Sequence, residues 1–242
     1  MGRKILFLLL PWFSLLLNSC DDKKELTVLA AAGLKEPFSQ VVESYKRKHP
    51  EVELKVVYAG SGSLFVKLKN HLGDLYIPAA ESYMETATKE GLIDPQTVKV
   101  LVYHRAVLVS NKPISNIYSF YKVCSRIGIS DPKEAAIGRV TYELLTKMGL
   151  WEKVQPKVVV KTSTVNQLLL YLQNGQIDCA IIWKELTKKL KGFTVAEFPQ
   201  EFGGLEKVPV GVATFSSNPK LAEDFERFLL KSREVFRKYG FD

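Results

Sequence analysis

Leu26-Thr27-Val28-Leu29-Ala30-Ala31-Ala32-Gly33-Leu34 is the stretch from which the rest of the chain can be read. Leu26 to Ala31 is short, apolar and rich in strand formers, which predicts a buried strand. Small residues end it and a helical pattern follows at once, with Leu34, Phe38, Val41, Val42 and Tyr45 on one face and Pro50 near its end. A strand that passes through a few small residues into a helix opens an α/β unit.

Outward from this unit the pattern repeats. Val52, Leu54, Val56 and Tyr58 alternate as a second strand, Gly60-Ser61-Gly62-Ser63 follows, and Leu64 to Asn70 reads as helix. Leu75-Tyr76-Ile77 is a short buried strand, and Ser82 with Glu85 has the spacing of a capping box on a helix stopped at Gly91. A second series starts after Arg105. Ala106 to Ser110 and Arg126 to Ser130 are strand-like, and a helix then carries Val140, Leu144, Leu145 and Met148 as far as Gly149. Val158 to Val160 is a strand, and Thr164 with Gln167 caps a helix that turns Val165, Leu168, Leu169 and Leu172 inward and ends at Gly175. Cys179 to Trp183 and Val210 to Thr214 are strands, and Asn218-Pro219 opens a last helix with Leu221, Phe225, Phe228 and Leu229 inward. Two such series without a linker predict two lobes. The strands near Val100 to Val109 and Val208 to Thr214 would cross between them, and the last helix would return to the first lobe.

The N-terminus speaks to location. Arg3 and Lys4 precede an apolar run from Ile5 to Leu17, shorter than the roughly 20 residues that span a bilayer and suited to a secretory signal. Leu17-Asn18-Ser19-Cys20 resembles the bacterial lipobox. That resemblance implies a signal peptide over residues 1–19, lipidation of Cys20, and a tether over residues 20–25 that anchors the protein to a membrane. A plain cleaved signal with an incidental cysteine is the alternative. Asp21 resembles the residue that retains a lipoprotein on the inner membrane, which implies a periplasmic site on the cytoplasmic membrane.

The chain carries a formal charge of +8. Its lysines lie scattered among glutamates, as solvated helix faces require, and no basic stripe with interleaved aromatics points to nucleic acid. Beyond Cys20 only Cys124 and Cys179 remain. In an exported protein they can pair, and two buried thiols are the alternative. His49, His71 and His104 have no metal-ligand spacing. No nucleophile elbow or phosphate-cradling loop is present, so the reading is of a protein without catalysis, cofactor or bound metal.

A different device recurs. Ala31-Ala32-Gly33, Gly60-Ser61-Gly62-Ser63, Ala136-Ile137-Gly138 and Thr162-Ser163-Thr164-Val165 each run from small or hydroxyl residues into a helix. The first N–H groups of a helix lack internal partners and sit at the positive end of its dipole. Two such loops from each lobe can surround one anion with neutral donors.

These loops also carry a family resemblance. The stretch from Leu26 to Leu34 resembles the opening strand and loop of periplasmic molybdate-binding proteins, and Tyr58-Ala59-Gly60-Ser61-Gly62-Ser63-Leu64 their second loop. Asp131 to Arg139, Gly149-Leu150-Trp151 and Lys238-Tyr239-Gly240-Phe241 continue the likeness in order. It implies an α/β, two-lobed periplasmic-binding-protein fold of type II, each lobe a mainly parallel sheet flanked by helices, with the ligand cleft between them. The lobes are expected at residues 26–104 with 210–242, and at 105–209. It implies capture of molybdate or tungstate for the permease of an ABC importer, by a monomer. Sulfate or another small anion, and a membrane-tethered anion sensor, are the alternatives. By resemblance Ser61 offers its hydroxyl and N–H, and Ile137 and Val165 offer backbone N–H groups. Two positions depart from the pattern. Gly33 stands where a ligand-binding serine is usual and keeps only a backbone donor. Trp183 replaces a hydrogen-bonding tyrosine; an indole N–H still donates, and a core or hinge-lining aromatic is the other role open to it. Ser61, read as a loop-tip residue, is expected to matter for binding and little for stability.

The lipobox yields the first prediction. Cys20→Ser should either release the protein in soluble form or leave its precursor uncleaved; a mature-sized band still in the membrane fraction would contradict lipidation.

Overall fold

Strand and helix alternate as the apolar periodicity requires. The computed structural model describes residues 24–242; the expected signal peptide, and Cys20 with its expected lipidation, lie outside them. The first series is β1 (Lys24–Ala31), α1 (Lys35–Lys48), β2 (Val52–Ala59), α2 (Ser61–Lys69), β3 (Leu75–Ile77) and α3 (Glu81–Lys89). A long β4 (Lys99–Ser110) leads to α4 (Phe120–Val123), β5 (Ile127–Ser130), α5 (Ala136–Lys147), α6 (Trp151–Val154), β6 (Val158–Thr162), α7 (Val165–Gln173) and β7 (Cys179–Trp183). β8 (Thr194–Glu197), β9 (Leu205–Val212), α8 (Pro219–Lys231) and α9 (Arg233–Tyr239) complete the chain.

The strands run in the order β2-β1-β3-β9-β4-β7-β5-β6, with β8 on the free side of β4. β2, β1 and β3 are parallel to one another, as are β6, β5 and β7. Each parallel trio is closed by an antiparallel strand, β9 against β3 and β4 against β7. β4 and β9 then pair with each other from Lys99↔Val210 to Arg105↔Leu205, which joins the two halves. The fold is thus α/β and two-lobed, each half a mainly parallel sheet with helices on it. β4 serves both halves because it is long: residues 99–105 pair with β9, and Ala106 to Ser110 with β7.

Several elements differ from the sequence reading. β9 starts at Leu205, well before the expected Val210, because its first residues are only half-buried and lack a continuous apolar run. β8 was not foreseen; its half-exposed Thr-Val-Ala-Glu gives little signal, and pairing with β4 decides it. The capping box at Thr164 and Gln167 is present. The one at Ser82 and Glu85 is not: α3 already begins at Glu81 with Ala80 as its cap, and the Ser82 hydroxyl accepts a hydrogen bond from Arg139 at 3.1 Å.

The α1 face formed by Phe38, Val41, Val42 and Tyr45 is buried. Phe225 of α8 meets Phe38 and Tyr45 edge-on, with centroids 6.0 and 4.9 Å apart, so the C-terminal helices rest on the first series. In the other half, the parallel register Ile127↔Cys179 brings the turn before β5 against the start of β7. Cys124 and Cys179 form a disulfide there, with Cα atoms 5.9 Å apart. Asp178 secures the same turn, its carboxylate accepting from the Ser125 hydroxyl and N–H, the Arg126 N–H and the Arg126 guanidinium. Burial alone would raise this carboxyl, but those donors together hold it well below the usual carboxylate range.

The bridge closes a loop over a separation of 55 residues. Replacing both cysteines with serine should therefore lower the unfolding free energy by about 2–4 kcal/mol. Thiol titration of the unreduced, denatured protein should find neither Cys124 nor Cys179 free, and two free thiols would rule the bridge out.

Candidate functional site

The sequence-predicted donors come together. Gly33, Ser61, Ile137, Val165 and Trp183 all line one cavity of about 20 Å³ between the two halves. The remaining lining is supplied by Ala31, Ala32, Ala59, Gly60, Ala79, Ala135, Ala136 and Thr164. Among the described residues, no charged side chain lines it. Three of its walls are helix starts: α2 opens at Ser61, α5 at Ala136 and α7 at Val165. The fourth differs slightly from expectation, because Gly33 lies in a 3-10 turn, Ala32–Leu34, that precedes α1.

Neither Gly60 nor Ala135, the caps of α2 and α5, offers a side-chain acceptor to the helix it precedes. The N–H groups of Ser61 in α2 and of Ala136 and Ile137 in α5 are therefore left to whatever fills the cavity, while those of Gly62 and Gly138 are taken by the Glu134 and Ala135 carbonyls. Thr164 does cap α7, but its hydroxyl takes the Gln167 N–H and leaves Val165 at the open first position.

Ser61 corrects one expectation. It is not at an exposed tip: the residue is 1 % exposed. Its hydroxyl accepts the Ala79 N–H at 3.0 Å, and its carbonyl accepts the Tyr76 hydroxyl at 3.1 Å. Burial pushes the Tyr76 phenol well above its ordinary range, which keeps it protonated as a donor. With an N–H already on its oxygen, the Ser61 hydroxyl has its proton left to donate. Ala79 itself lines the cavity and was missed from sequence. The available signal was Pro78-Ala79-Ala80, small residues just after β3, as Ala32-Gly33 lies just after β1.

Trp183 ends β7, is 1 % exposed and faces the cavity. A Cβ on residue 33 would stand 3.4 Å from its Cδ1 and 3.8 Å from its Nε1. The indole therefore uses the space beside a residue that has no side chain. On its other face it stacks on His104, with ring centroids 3.6 Å apart. Nothing in the local sequence around His104 marked it.

The two halves meet through backbone. Gly62 donates its N–H to the Glu134 carbonyl at 2.8 Å, and Ser63 reaches the same oxygen at 3.4 Å. A Cβ on Gly60 would lie 2.3 Å from that carbonyl, and one on Gly62 would lie 1.9 Å from the Lys133 carbonyl. Only glycine permits this approach. Side chains reinforce it: Asn166 donates to the Ala32 carbonyl at 2.8 Å, and the Arg139 guanidinium lies 4.3 Å from the Tyr83 ring centroid.

This arrangement matches known proteins over most of its length. Residues 26–242 match the family described as bacterial extracellular solute-binding protein. A Bacillus subtilis protein named as a candidate substrate-binding lipoprotein of an ABC transporter is 28% identical, over 97% of this chain and 94% of its own. The molybdate-binding protein of Escherichia coli is 25% identical, over 93% of this chain and 91% of its own. Among solved structures, the periplasmic molybdate-binding protein of Azotobacter vinelandii superposes with a TM-score of 0.78 at 19% identity, covering 90% of this chain and 98% of that one.

The glycine contact generates a prediction. Gly62→Ala should leave thermal stability within about 1 kcal/mol of the parent, since alanine suits the first turn of a helix. It should weaken binding of any cavity ligand tenfold or more by holding the Lys133-Glu134 segment away; calorimetry showing parental affinity would contradict the contact.

Proposed function

The chain belongs to the family of bacterial extracellular solute-binding proteins, and from that premise we propose that it captures a tetrahedral oxyanion, molybdate or tungstate, and hands it to the permease of an ABC importer. One observation carries the choice of ligand: a small cavity built from helix starts and lined, among the described residues, by no charged side chain. Such a site meets a small, fully deprotonated anion with donors on several sides. Phosphate at neutral pH carries a proton of its own and needs an acceptor, which this lining does not offer as a carboxylate.

In this reading Ser61 donates through its hydroxyl and N–H, Gly33, Ile137 and Val165 through their backbone N–H groups, and Trp183 through its indole. The lobes are residues 26–104 with 210–242, and residues 105–209. They close through the Gly62–Glu134 contact while β4 and β9 bend. The protein acts outside the cytoplasm as a monomer held to the cytoplasmic membrane by lipid on Cys20. The lipobox and the Bacillus subtilis relative support the anchor. The E. coli relative supports the ligand class.

Calorimetry of the purified protein against molybdate, tungstate, sulfate and phosphate tests the ligand. Tight binding of molybdate or tungstate with no heat from phosphate is expected; sulfate alone would redirect the assignment. Ser61→Asp keeps an acceptor for the Ala79 N–H but sets a negative charge against the anion, so it should abolish binding. Trp183→Phe keeps most of the packing and removes one donor. That should cost about 1.5–3 kcal/mol, or roughly ten- to more than a hundredfold in affinity. Parental affinity in Ser61→Asp would sink the site.

A further inference from the structure

Arg139 stands near the start of α5, in the second half, and reaches across to α3 in the first. Its guanidinium donates to the Ser82 hydroxyl at 3.1 Å and lies 4.3 Å from the centre of the Tyr83 ring. Tyr83 reaches back the other way, its hydroxyl donating to the Pro132 carbonyl at 3.4 Å. A long helical side chain runs toward the N-terminus of its helix, so Arg139 crosses beside the cavity residues Ala136 and Ile137 of its own helix start. Each end of the contact is fixed to cavity wall. In the second half, a Cβ on Gly138 would stand 2.4 Å from the Ser130 carbonyl, so the start of α5 rests directly on the end of β5. Ala136, Ile137 and Arg139 thus belong to one rigid turn. In the first half, Ser82 and Tyr83 open α3 directly after Ala79 and Ala80, and the Ala79 N–H is bonded to the Ser61 hydroxyl. The guanidinium also acts deeper in that half. Burial pushes the Tyr76 phenol up, Tyr83 adds to the shift and the Arg139 charge opposes it; the Tyr76 hydroxyl is the one that holds the Ser61 carbonyl.

We propose that Arg139 is a positioning residue of the site: by clasping Ser82 and Tyr83 it fixes the Ser61 donors and the Ile137 N–H at the spacing that one oxyanion spans, and so sets how long the anion is held. The inference rests on the reading of the cavity as an anion site. Arg139 does not line the cavity, so its effect passes through the segments it joins and not through the ligand. The other contacts already described between the halves tie different segments. Gly62 meets Glu134 through main chain, and Asn166 of α7 holds the Ala32 carbonyl; neither joins α3 to α5. Both partners of the guanidinium are neutral, a hydroxyl and a ring face. The clasp therefore opens without separating an ion pair, which suits a contact that must release its ligand.

Stopped-flow mixing of the purified protein with molybdate, followed by intrinsic tryptophan fluorescence, gives the association and dissociation rates; sulfate replaces molybdate if the parent binds only sulfate. Arg139→Met keeps the length of the side chain and removes its polar head. It should weaken binding by about tenfold, nearly all of it as faster dissociation. Tyr83→Leu should act alike, and the double variant should stay within about twofold of the weaker single one, because both changes break one contact. Arg139→Lys, still a cation over the ring, should recover part of the loss. Ser82→Ala removes only a hydroxyl and should speed dissociation about threefold; it decides the matter if the larger changes prevent folding. A merely structural role would lower the thermal midpoint without anion and leave the dissociation rate where it was. Variants that release the anion at the parent's rate, or single losses that multiply in the double variant, overturn the proposal while the anion reading stands. A parent that binds none of molybdate, tungstate, sulfate and phosphate overturns that reading, and this inference with it.

Discussion

Backbone N–H groups from the two halves of the sheet can serve one small ligand only if nothing bulkier than hydrogen stands between the segments that carry them. Gly60 and Gly62 meet that constraint. They let α2 come within hydrogen-bonding distance of the Lys133-Glu134 turn, where any Cβ would collide with a carbonyl. The alanines at 31, 32, 59, 79, 135 and 136 extend the same logic around the void. The site is small because its walls are main chain, and its walls are main chain because the side chains there are small.

Under the proposed function, such a cavity handles charge without a counter-ion in contact. Helix dipoles and peptide N–H groups supply partial positive charge already fixed in direction, so little reorganisation is needed when the ligand enters. A lysine in the same place would attract many anions and release them slowly. Ionisable groups lie one layer back, where His104 on β4 and Glu206 on β9 stand near Glu185, which follows β7. That is also where the two halves join, through the pairing of β4 with β9.

The rest of the molecule holds these loops still. In each half, three parallel strands present their carboxyl ends to the cavity and an antiparallel strand closes the sheet. In the second half the Cys124–Cys179 bridge and the Asp178 carboxylate tie β5 to β7 at the end away from the ligand.

Much of this was legible in sequence because it is local. The runs from Leu26 to Ala31 and from Cys179 to Trp183, the helical faces of α1, α5 and α7, and the small residues before each helix all follow from the preferences of neighbouring residues. Those preferences defined the α/β class and marked four small-residue loops; the family resemblance then singled out Gly33, Ser61, Ile137, Val165 and Trp183, which the fold gathers around one void. What depends on residues far apart in the chain was not legible. Ser61 looked like an exposed loop tip until Ala79 and Tyr76 were seen to bury and bond it. Ser82 had the spacing of a cap, yet the helix starts before it and Arg139 claims its hydroxyl. His104 showed no motif, since its partners are Ala79 and Glu185, 25 and 81 residues away. The sequence alone determined which segments are strands, helices and donor loops, because backbone preference and apolar periodicity act over a few residues. Only the tertiary structure decided which donors remain free and which ionisable groups stand behind them, because burial and hydrogen-bond partnership are set by whatever distant chain arrives alongside.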